Sequence, residues 1–125
     1  IVEIPVPITV GPAFEGEVLA FERDVREALL AVAKLLSDYG PQLGRPHADT
    51  LKGSSHANMK ELRFEVADGE WRAAFAFDPE RRAILLVAGD KSGGSQKRFY
   101  RKLIAKADFR FSEHLESLKA VKKGK

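Results

Sequence analysis

Apolar residues in the first third of the chain recur at helical spacing. Over residues 14–39, Phe14, Val18, Phe21, Val25, Leu29, Val32, Leu36 and Tyr39 step by three or four, so a helix puts them on one stripe. Gly16 weakens the first turn, and a break near residues 22–24 would divide the segment into two helices; the pattern is compatible with either. Gly40 followed by Pro41 ends it, because glycine suits a C-terminal cap and proline cannot continue a helix. Upstream, residues 1–10 are rich in β-branched side chains, but Pro5 and Pro7 confine them to an edge strand or an extended arm. Residues 41–57 are rich in turn formers and read as a loop.

The period then changes to two. In residues 59–67, Leu62, Phe64 and Val66 share one face, and Glu61, Arg63 and Glu65 the other. Asp68 and Gly69 form a strong hairpin signal. The next strand, residues 70–78, alternates Trp71, Ala73, Phe75 and Phe77 against Arg72, Ala74 and Ala76. After a turn at Pro79, residues 83–89 are apolar throughout, as expected of a central strand covered on both faces. Residues 95–119 read as a final helix striped by Phe99, Leu103, Ala107, Phe111, Leu115 and Leu118, and the basic residues 121–125 as a disordered tail. The order predicts an α+β fold, one domain over residues 1–120, with N-terminal helices and a C-terminal helix packed on one face of a small antiparallel sheet.

A length of 125 residues suits that single domain. Cysteine is absent, which excludes disulfides and thiolate metal sites and fits a reducing cytoplasm. No run approaches the roughly 20 apolar residues of a membrane helix. No segment reads as a signal peptide, although the chain begins at Ile1 rather than Met. The net charge of +3 hides an asymmetry: residues 1–90 hold 10 Lys/Arg and 15 Asp/Glu, net −5, whereas residues 91–125 hold 11 and 3, net +8. A basic segment beside an acidic body fits either a polyanion contact or a solvated helix.

The hairpin gives that charge a geometry. With Asp68 and Gly69 as the loop, Ala67 pairs with Glu70, Val66 with Trp71 and Glu65 with Arg72. One face is then core. The other carries Glu61, Arg63, Glu65 and Arg72 around the small Ala74 and Ala76, a shallow surface able to take an extended polyanion. The third strand returns beside Arg72 and brings Lys91 to that edge. The last helix starts there with Lys97, Arg98, Tyr100, Arg101 and Lys102, so Arg72, Lys91 and Arg98 are expected to converge. Cations at a helix N-terminus oppose its dipole, so their placement points to phosphate. The plainer alternative is surface ion pairing of Glu65 with Arg72 and of Arg63 with Glu61 or Glu65, each worth about 0.2–1 kcal/mol. Tyr100 could be core with a wet hydroxyl, and His47, His56 and His114 read as surface residues. Walker, GxSxG, HExxH and dinucleotide motifs are absent, and the glycines of residues 89–94 imitate a phosphate loop only superficially. No residues show metal-ligand spacing, so neither metal nor cofactor is expected.

Three runs carry a resemblance: RPHADTLKGSSHANMKELRF from Arg45, WRAAFAFDPERRAILLVAGDKSG from Trp71 and KRFYRKLIAKAD from Lys97. Over residues 39–118 the chain resembles the RelE/ParE superfamily of toxins, in its HigB-like, phage-derived branch. The string LKGSSHANMKELR is its most specific part. The resemblance implies a RelE-like, microbial RNase-like fold and a type II toxin that cuts mRNA in the ribosomal A site, halting translation in the cytoplasm. It also implies a helix-turn-helix, HigA-like antitoxin bound in a hetero-oligomer. By position it implies that Arg72 is the phosphate-stabilising arginine, Lys91 the basic residue after the third strand and Tyr100 the tyrosine of the last segment. Lys60 and Arg63 fall on the basic strand before the hairpin, and Lys52 in an L-[RK]-G element. HigB proteins often carry a functional histidine near the C-terminus; here His114 lies on the last helix, far from Lys91.

These assignments sketch a metal-free endoribonuclease. The RNA 2′-hydroxyl attacks the adjacent phosphorus and leaves a 2′,3′-cyclic phosphate. Arg72 and Arg98 would hold the phosphate, Lys60 or Lys91 would serve as base, and Tyr100 would serve as base or stack on a nucleobase. The same fold hosts two other outcomes: a ParE-like, non-enzymatic inhibitor of DNA gyrase, and a protein that keeps antitoxin binding alone.

Overall fold

Two interruptions, at Phe21 and at Gly40, decide how the N-terminal third folds. The computed structural model describes residues 4–123. Strand β1 (Ile8–Val10) leads into helix α1 (Pro12–Ala20), whose Pro12 sits in the first turn where no amide hydrogen is needed. Phe21 and Glu22 are extended, with ψ of 150° and 154°, and α2 (Arg23–Tyr39) begins after them. The two-helix alternative therefore holds. Arg26 closes the break: its Nη1 donates to the carbonyls of Leu19 (3.1 Å) and Phe21 (2.7 Å), acceptors that a helix end leaves unpaired. Phe21 turns inward and packs edge-on against Trp71 and Phe14. Gly40, at φ +58°, stops α2.

A short 3-10 turn (Gly40–Gln42) precedes β2 (Ala48–Thr50), β3 (Lys60–Val66), β4 (Gly69–Phe77), β5 (Ala83–Asp90) and α3 (Gln96–Lys123). The five-stranded sheet has the order β1-β5-β4-β3-β2. Its neighbours are antiparallel except β1, which runs parallel to β5, so the sheet is mixed rather than antiparallel. The expected edge strand is thus Ile8–Val10, and residues 1–3 lie outside the described residues. Strand β2 falls where only loop was expected: three residues are too few to display a period. Its ladder is extended by hydrogen bonds from Leu51 to Met59 and from Arg63 to His47.

The hairpin turns one residue earlier than expected. Ala67 (φ +50°) and Asp68 form the loop, and Val66 pairs with Gly69, Phe64 with Trp71, and Arg63 with Arg72. Gly69 serves close approach instead of the turn, since a Cβ there would lie 2.9 Å from Asp90 Oδ2 and 3.0 Å from Trp71 Nε1. The shift of two keeps every side chain on its expected face but replaces the Glu65–Arg72 pair with two arginines side by side.

Helices cover both faces of the sheet, not one. On one side α1 and α2 bury Phe14, Val25, Leu29, Val32 and Leu36 against Leu62, Phe64, Ala73, Phe75 and Leu85. On the other, α3 sets Leu103, Ala107 and Phe111 on Ala74, Ala76, Ile84 and Leu86. The alanine face is therefore filled rather than shallow, because small side chains let the helix approach closely. β5 is covered on both faces as its apolar run predicted. Polar links pin α3 along its length: Arg110 to Glu17, His114 to Asp78, and Asp108 to Ser54. The helix continues through Lys123, past the point where a disordered tail was expected; residues 124–125 lie outside the described residues. No described helix is long and apolar enough to cross a membrane.

Candidate functional site

Strand alternation puts Glu61, Arg63 and Arg72 on the α3 side of the sheet, with Arg63 and Arg72 directly opposite each other. Arg72 also pairs across to Gly89, where a Cβ would stand 3.0 Å from the ring of Phe99. That glycine lets the first turn of α3 settle, with the Phe99 ring against Gly89 and edge-on to Tyr100. Arg72 is 4% exposed.

Two guanidinium groups side by side under a helix repel unless an anion lies between them. Glu61, itself 4% exposed, supplies it. Its Oε2 accepts from Arg63 Nη1 at 2.8 Å, its Oε1 accepts from the Tyr100 hydroxyl at 2.8 Å, and Arg72 Nε stands 3.9 Å from Oε1. Arg72 Nη1 donates to the carbonyl of Trp71 at 2.9 Å. Its Nε is buried with no hydrogen-bond partner among the described residues. The Tyr100 hydroxyl is pushed above its ordinary value of 10.0, first by burial and then by its bond to the Glu61 carboxylate. The Tyr100 hydroxyl is thus placed as a donor to the Glu61 carboxylate.

Two hollows open beside this cluster. One of about 390 Å³ is lined by Arg45, Lys52, Leu51, Glu61, Tyr100 and Ile104. The other, about 500 Å³, is lined by Arg45, His47, Arg63, Phe64 and Arg72 beneath α2. Arg45 borders both and is itself paired with the exposed Asp49, Nη2 to Oδ2 2.7 Å. The arrangement can hold an anion by buried, preorganised donors and can receive a chain longer than the anion.

The fold thus unites Arg63, Arg72 and Tyr100, and sets Lys52 at the rim. It does not gather the rest. Lys60 falls, by alternation, on the α2 side with Leu62. Lys91 sits beyond the Arg72–Gly89 pair, where its Nζ lies 3.5 Å from Glu70 Oε1. Arg98, Lys97, Arg101 and Lys102 are exposed on the first turns of α3. The contacts recorded for Arg72 are with Glu61 and the Trp71 carbonyl, whereas Lys91 is held by Glu70 and Arg98 is exposed. His114 is remote from this cluster: its Nε2 lies 2.9 Å from the fully buried carboxylate of Asp78, which also receives Arg82. Glu61, Arg45 and His47 are the residues that sequence reasoning left out of the site. Glu61 was visible as a partner for Arg63, but its burial depends on which face α3 covers.

Comparison with known proteins identifies the family and the fold. Residues 17–112 match the family model described as phage-derived protein Gp49-like (DUF891). The chain is 43% identical over 102 residues to a candidate toxin of Mycobacterium tuberculosis (strain ATCC 25618 / H37Rv), HigB2, covering 81% of this chain and 50% of that protein. It spans about half the length of that relative. It is also 43% identical over 106 residues to the candidate toxin HigB3 of the same strain, covering 85% of this chain and 90% of the relative. An arginine-to-alanine double mutant of E. coli toxin RelE, solved in the free state, superposes with a TM-score of 0.57 at 12% identity, over 82% of this chain and 96% of the other. At that identity the likeness speaks for the fold alone.

Proposed function

Because the chain belongs to the phage-derived Gp49-like family, we propose that it is the toxin of a toxin–antitoxin pair and an endoribonuclease acting on mRNA at the ribosome. The observation that carries this reading is the buried Arg72, whose unpartnered Nε lies in a cluster with the Arg63 guanidinium, the Tyr100 hydroxyl and the Glu61 carboxylate, beside a groove.

RNA brings its own nucleophile, so the protein need only hold the phosphate, manage two protons and stabilise charge. Arg72 and Arg63 take the non-bridging oxygens, where buried donors act most strongly on developing charge. Tyr100, kept protonated, passes its proton to the departing 5′-oxygen, an alkoxide far more basic than a phenolate. The 2′-hydroxyl gives its proton to water as its oxygen bonds to phosphorus, the bond to the 5′-oxygen breaks as that oxygen takes the Tyr100 proton, and a 2′,3′-cyclic phosphate remains. Arg45 and Lys52 contact flanking phosphates along the hollow. Lys91, Lys97, Arg98, Arg101 and Lys102 form an outer basic rim that steers RNA by screened, long-range attraction. The partner is an antitoxin of the helix-turn-helix, HigA type, whose acidic or apolar surface covers the basic one.

The test is controlled expression of the wild type, Arg72→Ala and Tyr100→Ala, with growth, translation, replication and mRNA ends followed together. The wild type should stop translation before replication and leave mRNA fragments ending in 2′,3′-cyclic phosphate, and both variants should grow. Full toxicity in both variants would remove the assignment. Replication stopping first would replace it with a gyrase inhibitor.

A further inference from the structure

The cluster contains one group that the cleavage scheme does not use. Glu61 is buried, yet nothing about the sheet requires a carboxylate there: its cross-strand neighbour is Ala74, and Asp49, on the other side, pairs with Arg45. What surrounds it is a set of donors suited to an anion: Arg63 Nη1 and the Tyr100 hydroxyl at 2.8 Å each, and Arg72 Nε just out of hydrogen-bond reach at 3.9 Å. A planar carboxylate satisfies two of these three donors and leaves the third without a partner. A tetrahedral phosphate has more oxygens in more directions, and could satisfy all three.

We propose that Glu61 is a built-in substitute for phosphate: in the ligand-free chain its carboxylate occupies the anion position between Arg63, Arg72 and Tyr100, and a phosphate group binds by displacing it. This inference rests on the functional reading above for the source of the phosphate, an RNA backbone, but not for the exchange itself. The exit route is present. Glu61 borders the hollow of about 390 Å³ that Lys52 and Arg45 also line, so a rotated carboxylate finds cations instead of apolar wall. The exchange has two consequences. The free protein keeps its paired arginines partly neutralised and stays folded, and binding is weaker than the cations alone would give, because each phosphate must evict a bonded carboxylate. Glu61 thereby sets the threshold for anion binding and is a positioning residue, since it holds the donors in place without touching the reacting atoms.

The experiment uses the full chain and inorganic phosphate. Thermal midpoints are measured against phosphate concentration, with chloride holding ionic strength constant, for the wild type, Glu61→Gln and Arg72→Met. Glutamine keeps an acceptor for the Tyr100 hydroxyl but removes the charge. Glu61→Gln should melt lower than the wild type in chloride, and should reach half of its phosphate stabilisation at roughly tenfold lower concentration, as expected when an opposing unit charge is removed from a partly buried site. Arg72→Met should lose the response. Equal phosphate midpoints for wild type and Glu61→Gln would overturn the proposal, as would an undiminished response in Arg72→Met. Should Glu61→Gln fail to fold, the wild type decides alone: Tyr100 ring resonances must shift as phosphate saturates, and resonances unmoved by stabilising phosphate overturn the exchange. The two readings fail separately. A clear phosphate difference in a chain that cuts no RNA refutes the nuclease and keeps the exchange; RNA cleavage with equal phosphate midpoints does the reverse.

Discussion

Replacing Arg72 by methionine should leave the fold intact or stabilise it while abolishing activity. A buried donor without a partner costs about 1–3 kcal/mol, and Arg72 Nε is such a donor. Against this stand one hydrogen bond to the Trp71 carbonyl, worth about 0.5–1.5 kcal/mol net, and an attraction to Glu61 across 3.9 Å. Glu61 keeps its bonds to Arg63 and Tyr100 when Arg72 goes, so no carboxylate is stranded. Methionine retains the unbranched stem and brings nothing polar to satisfy. The balance predicts a change within about 1 kcal/mol of zero, on the stabilising side, and a melting point unchanged or raised by up to about 5 °C for a domain of this size. Removing a preorganised donor to a developing negative charge should lower the cleavage rate by about 10²–10³-fold or more. Thermal unfolding in chloride buffer and single-turnover cleavage of an RNA read the two quantities on one preparation. A melting point lowered by more than about 8 °C, roughly 2 kcal/mol, would make Arg72 a structural residue and refute the reasoning; so would cleavage at the wild-type rate.

The remaining predictions concern pH. The Tyr100 phenol is raised above 10.0, so its neutral form favours the folded state fully below that value, and the contribution is lost as pH rises through the folded value. Tyr100→Phe should therefore be less stable by about 1–2 kcal/mol at neutral pH, the worth of a hydrogen bond to a carboxylate, and the gap to wild type should close above pH 10.0; a constant gap in melting point across that range would refute it. Asp78 runs the other way. Burial pushes its carboxyl up, but the hydrogen bonds from His114, the Arg82 backbone and the Arg82 guanidinium together hold it below its usual 3.8. Its stabilisation is present above 3.8 and lost as pH falls through the lower folded value. Asp78→Asn should cost about 2–4 kcal/mol at neutral pH, because a buried acceptor paired with the Arg82 guanidinium and the His114 ring loses its charge, and should flatten the acid limb of the melting curve; a melting point within 2 °C or so of wild type at neutral pH would refute it.

Periodicity made most of this fold legible and failed where a contact rather than a pattern decides. The stripe from Phe14 to Leu36 is buried in one cluster, and the alternation of Leu62 and Phe64 against Arg63 is observed residue by residue. The helix break needed Arg26 reaching back to the carbonyls of Leu19 and Phe21, a contact that no local preference announces. β2 was hidden because three residues after a proline carry no period, and its identity comes from pairing with β3. The side chosen by α3 was the costliest omission. Arg72, Ala74 and Ala76 read as a charged, shallow surface, whereas Ala74 and Ala76 are small because Ala107 and Leu103 must come close. A polar strand face carrying two alanines is as good a helix seat as an open groove, and alternation alone does not separate them.

That one choice also explains which of the expected cations the fold brings together. Exposed charges and buried charges act differently, and the sequence presents them alike. Lys97, Arg98, Arg101 and Lys102 lie in water on the first turns of α3, where salt screens them beyond about 10 Å at 0.1 M. Charges so placed act on a polyanion at a distance, through the rate of encounter. Arg72 is buried and Arg63 half-buried beside it, so their field at one position is strong and their neighbours decide whether it is available. Available cations would make this chain bind anions without discrimination; a buried and a half-buried cation side by side without a counter-charge would oppose its folding. A carboxylate on the same face, two residues from Arg63, meets both demands at once. The residue that looked like ordinary surface pairing is thus the one that lets a buried anion site exist in a folded chain before its ligand arrives.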